Sequence, residues 1–463
     1  MMQKIKIRCV RDKNRENRHP PLVLSAEPCE VYRRIIPKII RTNGSIQFAS
    51  QSYANHSPRT GLKRFYLSRT NVKLAILLGC LGFSHFLLTK QAIIIVPVAD
   101  VYGSPDITTT HIDIECKKAI DCPRIMQLLF NELVTILKEQ GDFAQVAIPH
   151  LFYITTHNKR EPQHICWVNK QHLLPLHEIP DALLKLPPPI TFRHPQSVLP
   201  SSRIITLKMP WYDEKSQKTY SVGTRFVLQE VNKKNYRIFF LDPTNKTIDV
   251  TQIPKKLCME IPNQTSTQEM QHTFVSLLQE WAHLDHGFIP YVWGGCSFTH
   301  QCFHQNFKLI PGKEIPEHSH VIREQFDYFP FPGFDCAGLI ARAAQCCGIP
   351  FFLRNSTTIA ERLRRLSPDD AIEPGDIIWI FGHVMVVSDL HRATIIEARS
   401  HYHGYGKVQE IPLSEEFVGM DSFDKLKEVY LKQKPLERLN AQGEIVQKID
   451  SFKILKFSSV WGN

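Results

Sequence analysis

The spacing of apolar and polar residues divides the chain into regions of different character. From Ile93 to about Leu186, short β-rich runs such as IIIVPVADVYGSPD are broken by turn residues. AQVAI and ICWVN read as short strands. Arg124 to Gln140 (RIMQLLFNELVTILKEQ) carries apolar residues at helical spacing and stops at Gly141, so the pattern predicts a helix there. Leu186-Pro187-Pro188-Pro189 is a stiff linker. From Ile190 to about Pro262, SRIITLKM, SVGTRFVLQEV and YRIFFLD predict strands, with turns at Lys233-Lys234-Asn235 and Asp242-Pro243. Short strands with close turns predict a small barrel.

From about Thr265 the pattern becomes α+β. Gln268 to His283 is a predicted helix with Met270, Phe274, Leu277, Leu278 and Trp281 on one face. PYVWGG, a long irregular stretch and a helix opened by Asp335-Cys336 follow. DIIWIF, HVMVVSD and ATIIEAR then predict strands, and KILKFSSVW a last one near the C-terminus. Helices followed by an antiparallel sheet predict a layered α+β domain.

With 463 residues, 43% of them hydrophobic, the chain can build roughly two to four domains. Its net charge of +11 is not evenly spread. Met1 to Lys73 holds sixteen Lys and Arg against four Asp and Glu, a balance of +12, which leaves −1 for the rest. The folded part therefore gives no electrostatic reason to expect a nucleic-acid partner. Leu74 to Leu88 is an apolar run of fifteen residues behind Lys63, Arg64, Arg69 and Lys73, with polar Thr89-Lys90-Gln91 after it. A basic flank, a short apolar stretch and a polar exit are the parts of an export signal or membrane anchor. The twelve Cys form no paired CxxC zinc pattern and are too sparse for a disulfide scaffold, although Cys116/Cys122 and Cys296/Cys302 share a six-residue spacing.

Candidate chemistry centres on Phe334-Asp335-Cys336-Ala337-Gly338-Leu339-Ile340. Asp335 can cap the helix that follows, which places Cys336 in the first turn. Unpaired N–H groups and the helix dipole favour a thiolate there and can hold an oxyanion. The alternative is a small buried cysteine, which also describes Cys346 and Cys347. A thiol nucleophile needs a base, and Gly382-His383 opens the strand HVMVV. Glu397 breaks the apolar run of the next strand. It reads either as the carboxylate that orients the imidazole or as a surface residue on an alternating strand.

PYVWGG at 290–295, FDCAGLI at 334–340 and PGDIIWIFGHVMVV at 374–387 together resemble the NlpC-type cysteine peptidases of bacterial cell walls, a papain-like family. The resemblance implies hydrolysis of stem-peptide bonds beside D-glutamate in peptidoglycan, of the γ-D-glutamyl-diaminopimelate type. It implies Cys336 as nucleophile, His383 as base and Glu397 in the third position. It also implies Tyr291, Trp293 and Asp335 as substrate-binding residues, Asp335 toward a free amine. No metal or organic cofactor is required. This sequence departs from the pattern in three places. Ala337 stands where a serine is usual, Glu397 where a histidine is usual, and the stretch from Cys296 to Gly333 is longer than the family's link. That stretch carries His300, His304, His318 and His320, and reads as a cleft-covering loop in preference to a metal site. The two upstream modules resemble bacterial SH3-like domains.

The expected organisation is a basic extension over 1–71, disordered or outside the translated protein, and a signal or anchor over 72–92. SH3-like domains over 93–186 and 190–262 precede an NlpC-type domain over 265–463. The expected partners are peptidoglycan stem peptides or muropeptides, in the periplasm or cell envelope, with membrane anchoring through residues 74–88. The rival readings are an amidase or transpeptidase on the same residues, and a non-catalytic wall-binding protein.

Overall fold

The computed structural model of the chain describes residues 40–42, 45–47, 91–105, 124–149, 151–153, 165–179, 185–189, 204–260, 266–285, 287–299, 332–400 and 405–462. Near the N-terminus, β1 (Ile40–Thr42) and β2 (Ser45–Gln47) pair as a short antiparallel hairpin. The apolar run over 74–88 and the histidine-rich part of the long insertion lie outside the described residues. Among the described residues no helix is long and apolar enough to cross a membrane.

The first β-rich region is one antiparallel sheet. Its strands are β3 (Gln91–Ile94), β4 (Val98–Tyr102), β5 (Arg124–Leu129), β6 (Leu133–Gln140), β7 (Phe143–Ala147), β8 (Ile165–Asn169) and β9 (Leu173–Pro175). They lie in the order β5-β4-β8-β7-β6-β3-β9. AQVAI and ICWVN are strands as expected. The helix expected over 124–140 is not there: β5 and β6 occupy that stretch, separated by Phe130-Asn131-Glu132. Asn131 has φ 69, a left-handed conformation that ends the run, and its side-chain amide donates to the Arg225 carbonyl at 3.1 Å. Pairing of β5 with β4, and of β6 with β3 and β7, outweighs the local helical spacing.

The second region contains β10 (Ile204–Leu207), the small ribbon β11 (Trp211–Asp213) with β12 (Lys218–Tyr220), then β13 (Arg225–Val231), β14 (Asn235–Asp242), β15 (Thr247–Pro254) and β16 (Cys258–Glu260). Its five-stranded sheet runs β15-β14-β13-β10-β16. Trp211, Tyr220, Phe226 and Phe240 fill its core, and Phe130 from the first region enters the same cluster, 4.9 Å from Tyr220 and 5.5 Å from Phe240 between ring centroids. The two β modules thus share buried apolar surface.

The C-terminal region begins with α1 (Thr267–Ala282). Ser266 and Glu269 form a capping box, and Met270, Phe274, Leu277, Leu278 and Trp281 are all buried, as their spacing predicts. The short strands β17 (Cys296–Ser297) and β18 (Gly333–Phe334) pair next to α2 (Cys336–Cys346), with α3 (Ser356–Arg362) after it. The main sheet follows with β19 (Ile377–Ile380), β20 (His383–Asp389), β21 (Thr394–Arg399) and β22 (Lys407–Pro412). A crossing made of α4 (Leu413–Glu416), α5 (Phe423–Leu431) and the hairpin β23 (Leu436–Leu439) and β24 (Ile445–Ile449) returns the chain to β25 (Lys453–Leu455). The sheet order is β22-β21-β20-β19-β25, antiparallel throughout. The strand expected over KILKFSSVW covers only β25, and Phe457–Trp461 forms a 3₁₀ turn.

Both faces of this sheet are buried, which explains why its strands read as nearly continuous apolar runs. Val384, Val386, Ile396 and Ala398 pack toward α1 and α2, while Met385, Val387 and Ile395 pack toward Phe417, Phe423 and Leu426. Trp281 stacks on Phe334 at 5.3 Å, which anchors the residue two positions before Cys336.

Polar side chains tie α2 to the first module. Arg342 is 2% exposed. Its guanidinium donates to the Cys296 carbonyl at 2.9 Å, Glu132 at 2.7 Å and the Gln127 carbonyl at 3.2 Å. Within α2, Gly338 faces the backbone of Gly295 so closely that an added Cβ would lie 2.0 Å from the Gly295 carbonyl oxygen. Gly338→Ala is expected to destabilise the protein by about 1–3 kcal/mol through overpacking. A urea titration that left the midpoint unchanged would contradict this close approach.

Candidate active site

The sequence Asp335-Cys336-Ala337-Gly338 starts α2 because the Asp335 side chain caps it, accepting the Gly338 N–H at 2.6 Å. Cys336 is consequently the first helical residue and remains partly exposed. The same carboxylate accepts the Gly294 N–H at 3.1 Å and a two-pronged ion pair from Arg354 at 2.9 and 2.8 Å. One side chain therefore fixes the helix start, the PYVWGG segment and the strand-like stretch before α3.

Across from this helix start, β19 and β20 form a tight hairpin in which Ile380 pairs with His383. Gly382 has φ +83 in its turn, a conformation that suits glycine. His383 thus stands at the head of β20. Its Nε2 lies 2.7 Å from the Glu397 carboxylate on the neighbouring strand. Glu397 is 1% exposed, so the surface reading of this residue does not hold. Its other oxygen accepts from Gln409 at 3.0 Å. The Cys336 thiol lies against the backbone N–H groups of Val384 and Ala337. Val384 is the residue after His383, so the start of α2 that bears Cys336 lies against the strand head that bears His383. The thiol and the ring are not hydrogen-bonded to each other, and the thiol's neighbours are these backbone groups. In unliganded sites such bonds are often long or unaligned.

Electrostatics act oppositely on the two groups. Burial, followed by the Asp335 carboxylate, pushes the Cys336 thiol up to about 12 against the opposing pull of the Val384 N–H and Arg354. Burial and then the Arg438 charge push His383 down to about 4, although Glu397 acts in the other direction. Burial also works to raise the Glu397 carboxyl, but its bond to His383 and the charges of Arg438 and Arg399 outweigh it and hold it below the usual range. The resting pair is thus neutral thiol and neutral imidazole, with an ionised carboxylate behind the ring.

No family model matches the chain, and no curated protein matches it. Among solved structures, an NlpC/P60 family protein of Bacillus cereus overlaps with a TM-score of 0.45 at 16% identity, covering 70% of this chain and 94% of that one. NlpC2 of Trichomonas vaginalis overlaps at 0.28 with 15% identity, covering 70% of this chain and 92% of that one. The peptidoglycan hydrolase RipB of Mycobacterium tuberculosis overlaps at 0.20 with 23% identity, covering 32% of this chain and 62% of that one.

The other residues singled out from the sequence lie beside this centre. Tyr291 is 6% exposed, and its backbone N–H donates to the Gly406 carbonyl at 2.9 Å. Trp293 is half-buried, and its carbonyl accepts from Arg124 at 2.9 and 2.7 Å. Asp335 has both oxygens engaged by Arg354, Gly338 and Gly294. Cys296 is a free buried cysteine. Sequence reasoning missed Arg354, Gln409 and Arg438. Their signal is a polar or charged residue inside an otherwise apolar stretch, as in GIPFFLRN and KPLERL, where burial requires a partner.

Because native His383 resists protonation down to about pH 4 while the unfolded chain takes up the proton near 6.5, this group stabilises the fold above 6.5. That contribution, on the order of 1–3 kcal/mol, is lost as pH falls from 6.5 toward 4. Urea unfolding of the wild type at pH 7 and pH 5 is expected to show a larger drop than the same comparison for His383→Gln. Equal drops would remove the buried neutral imidazole from the account.

Proposed function

We propose that this protein is an exported peptidoglycan hydrolase that cleaves stem-peptide bonds by cysteine nucleophilic catalysis. The observation that carries the reading is the meeting of a capped helix start bearing Cys336 with a strand head bearing His383, whose Nε2 is held by Glu397 at 2.7 Å. The three sequence blocks around these residues supply the substrate class. On their resemblance to NlpC-type peptidases, the bond cut lies beside D-glutamate, as in γ-D-glutamyl-diaminopimelate.

With Nε2 committed to Glu397, Nδ1 is the ring nitrogen that takes the thiol proton as attack begins. Both groups rest neutral, so charge develops during attack and not before it. The growing imidazolium is stabilised by Glu397, and the oxyanion by N–H groups at the start of α2. The acyl-enzyme forms as the amine leaves with the proton from His383, and water then releases the acyl group. Tyr291 and Trp293 border the cleft and contact substrate. A substrate amine at Asp335 would have to share the carboxylate with Arg354. The upstream β modules act as SH3-like wall-binding domains, and residues 74–88 direct export or anchoring.

Cys336→Ala is expected to abolish release of muropeptide fragments from purified peptidoglycan, read by mass spectrometry, while far-UV circular dichroism stays unchanged. Full activity in that folded variant would overturn the assignment. Alkylation of wild-type Cys336 by iodoacetamide is expected to accelerate toward alkaline pH, because the resting thiol is neutral. A rate that stays high and flat well below neutral pH would instead mean a preformed thiolate–imidazolium pair.

A further inference from the structure

Behind Glu397 lies a closed set of buried charges that the catalytic reading does not use. Arg438, on β23 and outside the catalytic sheet, is 5% exposed and sends its Nη2 to Glu397 Oε2 at 3.2 Å. That is the same oxygen that meets His383 Nε2 at 2.7 Å. The Arg438 Nε donates to Glu416 at the end of α4, and Arg399 Nη1 donates to the second Glu416 oxygen at 2.7 Å. Glu416 is 0% exposed and Arg399 2%. Two guanidiniums thus face two buried carboxyl groups, and burial followed by the Glu397 charge pushes the Glu416 carboxyl up to about 8.

We infer that Arg438 is a positioning residue which, by sharing Glu397 Oε2 with the imidazole, holds His383 in the tautomer that leaves Nδ1 free to accept the thiol proton. This rests on the reading of Cys336 and His383 as the catalytic pair. The physical reason is proton placement. An ionised Glu397 can only accept, so Nε2 must carry the ring proton and Nδ1 keeps its lone pair. A protonated Glu397 could donate to Nε2, which would place the ring proton on Nδ1 and leave no base facing the thiol. Arg438 disfavours that protonated form, because a guanidinium cannot accept a proton bond and a neutral carboxyl beside it would leave its charge uncompensated. Glu416 in turn keeps Arg438 aligned, so it acts one step further back.

A purely structural ion pair would be complete with Glu416 bound by Arg399 and Arg438. The extra reach of Arg438 Nη2 to the oxygen already engaged by His383 is what gives it a role in the site. Among the described residues, the charged and titratable groups backing the imidazole are Glu397 and Arg399 from β21, Arg438 from β23 and, behind them, Glu416 from α4. Tyr405 adds its hydroxyl near Glu397 and Arg399.

The test uses the full chain with ¹⁵N-labelled histidine, His383 being assigned by its loss in His383→Gln. In the wild type at neutral pH, His383 is expected as the Nε2–H tautomer, and an Nδ1–H tautomer overturns the proposal without any variant. In Arg438→Met, and in Arg438→Met combined with Glu416→Gln so that Glu416 is not left as a buried carboxyl missing one donor, two changes are expected. The His383 titration midpoint rises by about one unit, a tenfold gain in proton affinity, and the Nε2–H preference weakens. The pH dependence of Cys336 alkylation moves in the same direction. A folded double variant with the wild-type midpoint and tautomer would reduce Arg438 to a structural ion pair. These readouts need no peptidoglycan. Retained cleavage in Cys336→Ala would sink the hydrolase reading while leaving the tautomer result standing, and the converse also holds.

Discussion

Four donors converge on the carboxylate of Asp335: the Gly338 and Gly294 N–H groups and both terminal nitrogens of Arg354. They come from three separate pieces of chain, and two of these, around Gly294 and Arg354, have no regular sheet or helix to fix the backbone. Gly338 belongs to the first turn of α2, Gly294 to the irregular segment before β17, and Arg354 to the stretch leading into α3. Removing this one charge would free all three and leave a buried guanidinium without a counter-ion, a costly state in a low-dielectric interior. The orientation of Cys336 therefore depends on the residue immediately before it more than on any property of the thiol itself.

The sheet that faces this helix start is held differently. β20 and β21 are buried on both faces, so their register is fixed by apolar packing on two sides at once. That rigidity carries His383 and Glu397 into contact from adjacent strands. The charges behind Glu397 then decide which protons the ring and the carboxyl carry. Packing sets where the groups are, and the buried charges set what they can do chemically.

Much of this was legible in the sequence. The Asp335 cap, the apolar face of α1 and the strands β19, β20 and β21 follow from local spacing and residue type. The position of Glu397 was legible as an interruption of an apolar strand, but its burial was not. Two kinds of information were out of reach. The stretch from Arg124 to Gln140 has helical spacing, yet forms β5 and β6 because partners from β3, β4 and β7 claim its backbone, and no local pattern encodes those partners. Arg438 contacts Glu397 from 41 residues away in the chain, on a hairpin whose own pattern is ordinary. A buried charge network is visible only once the elements that close it have been placed.

The guanidinium of Arg342 has a further consequence. It leaves α2 and ends on Glu132 and the Gln127 carbonyl, more than two hundred positions earlier in the chain. As the polypeptide leaves the ribosome, the first sheet emerges long before its ionic partner exists. Until α2 has been synthesised, Glu132 keeps the Leu129 N–H as a partner but lacks its guanidinium. The late helix therefore supplies an ionic contact that the earlier sheet cannot make by itself, and the segment that bears Cys336 is the one that completes it.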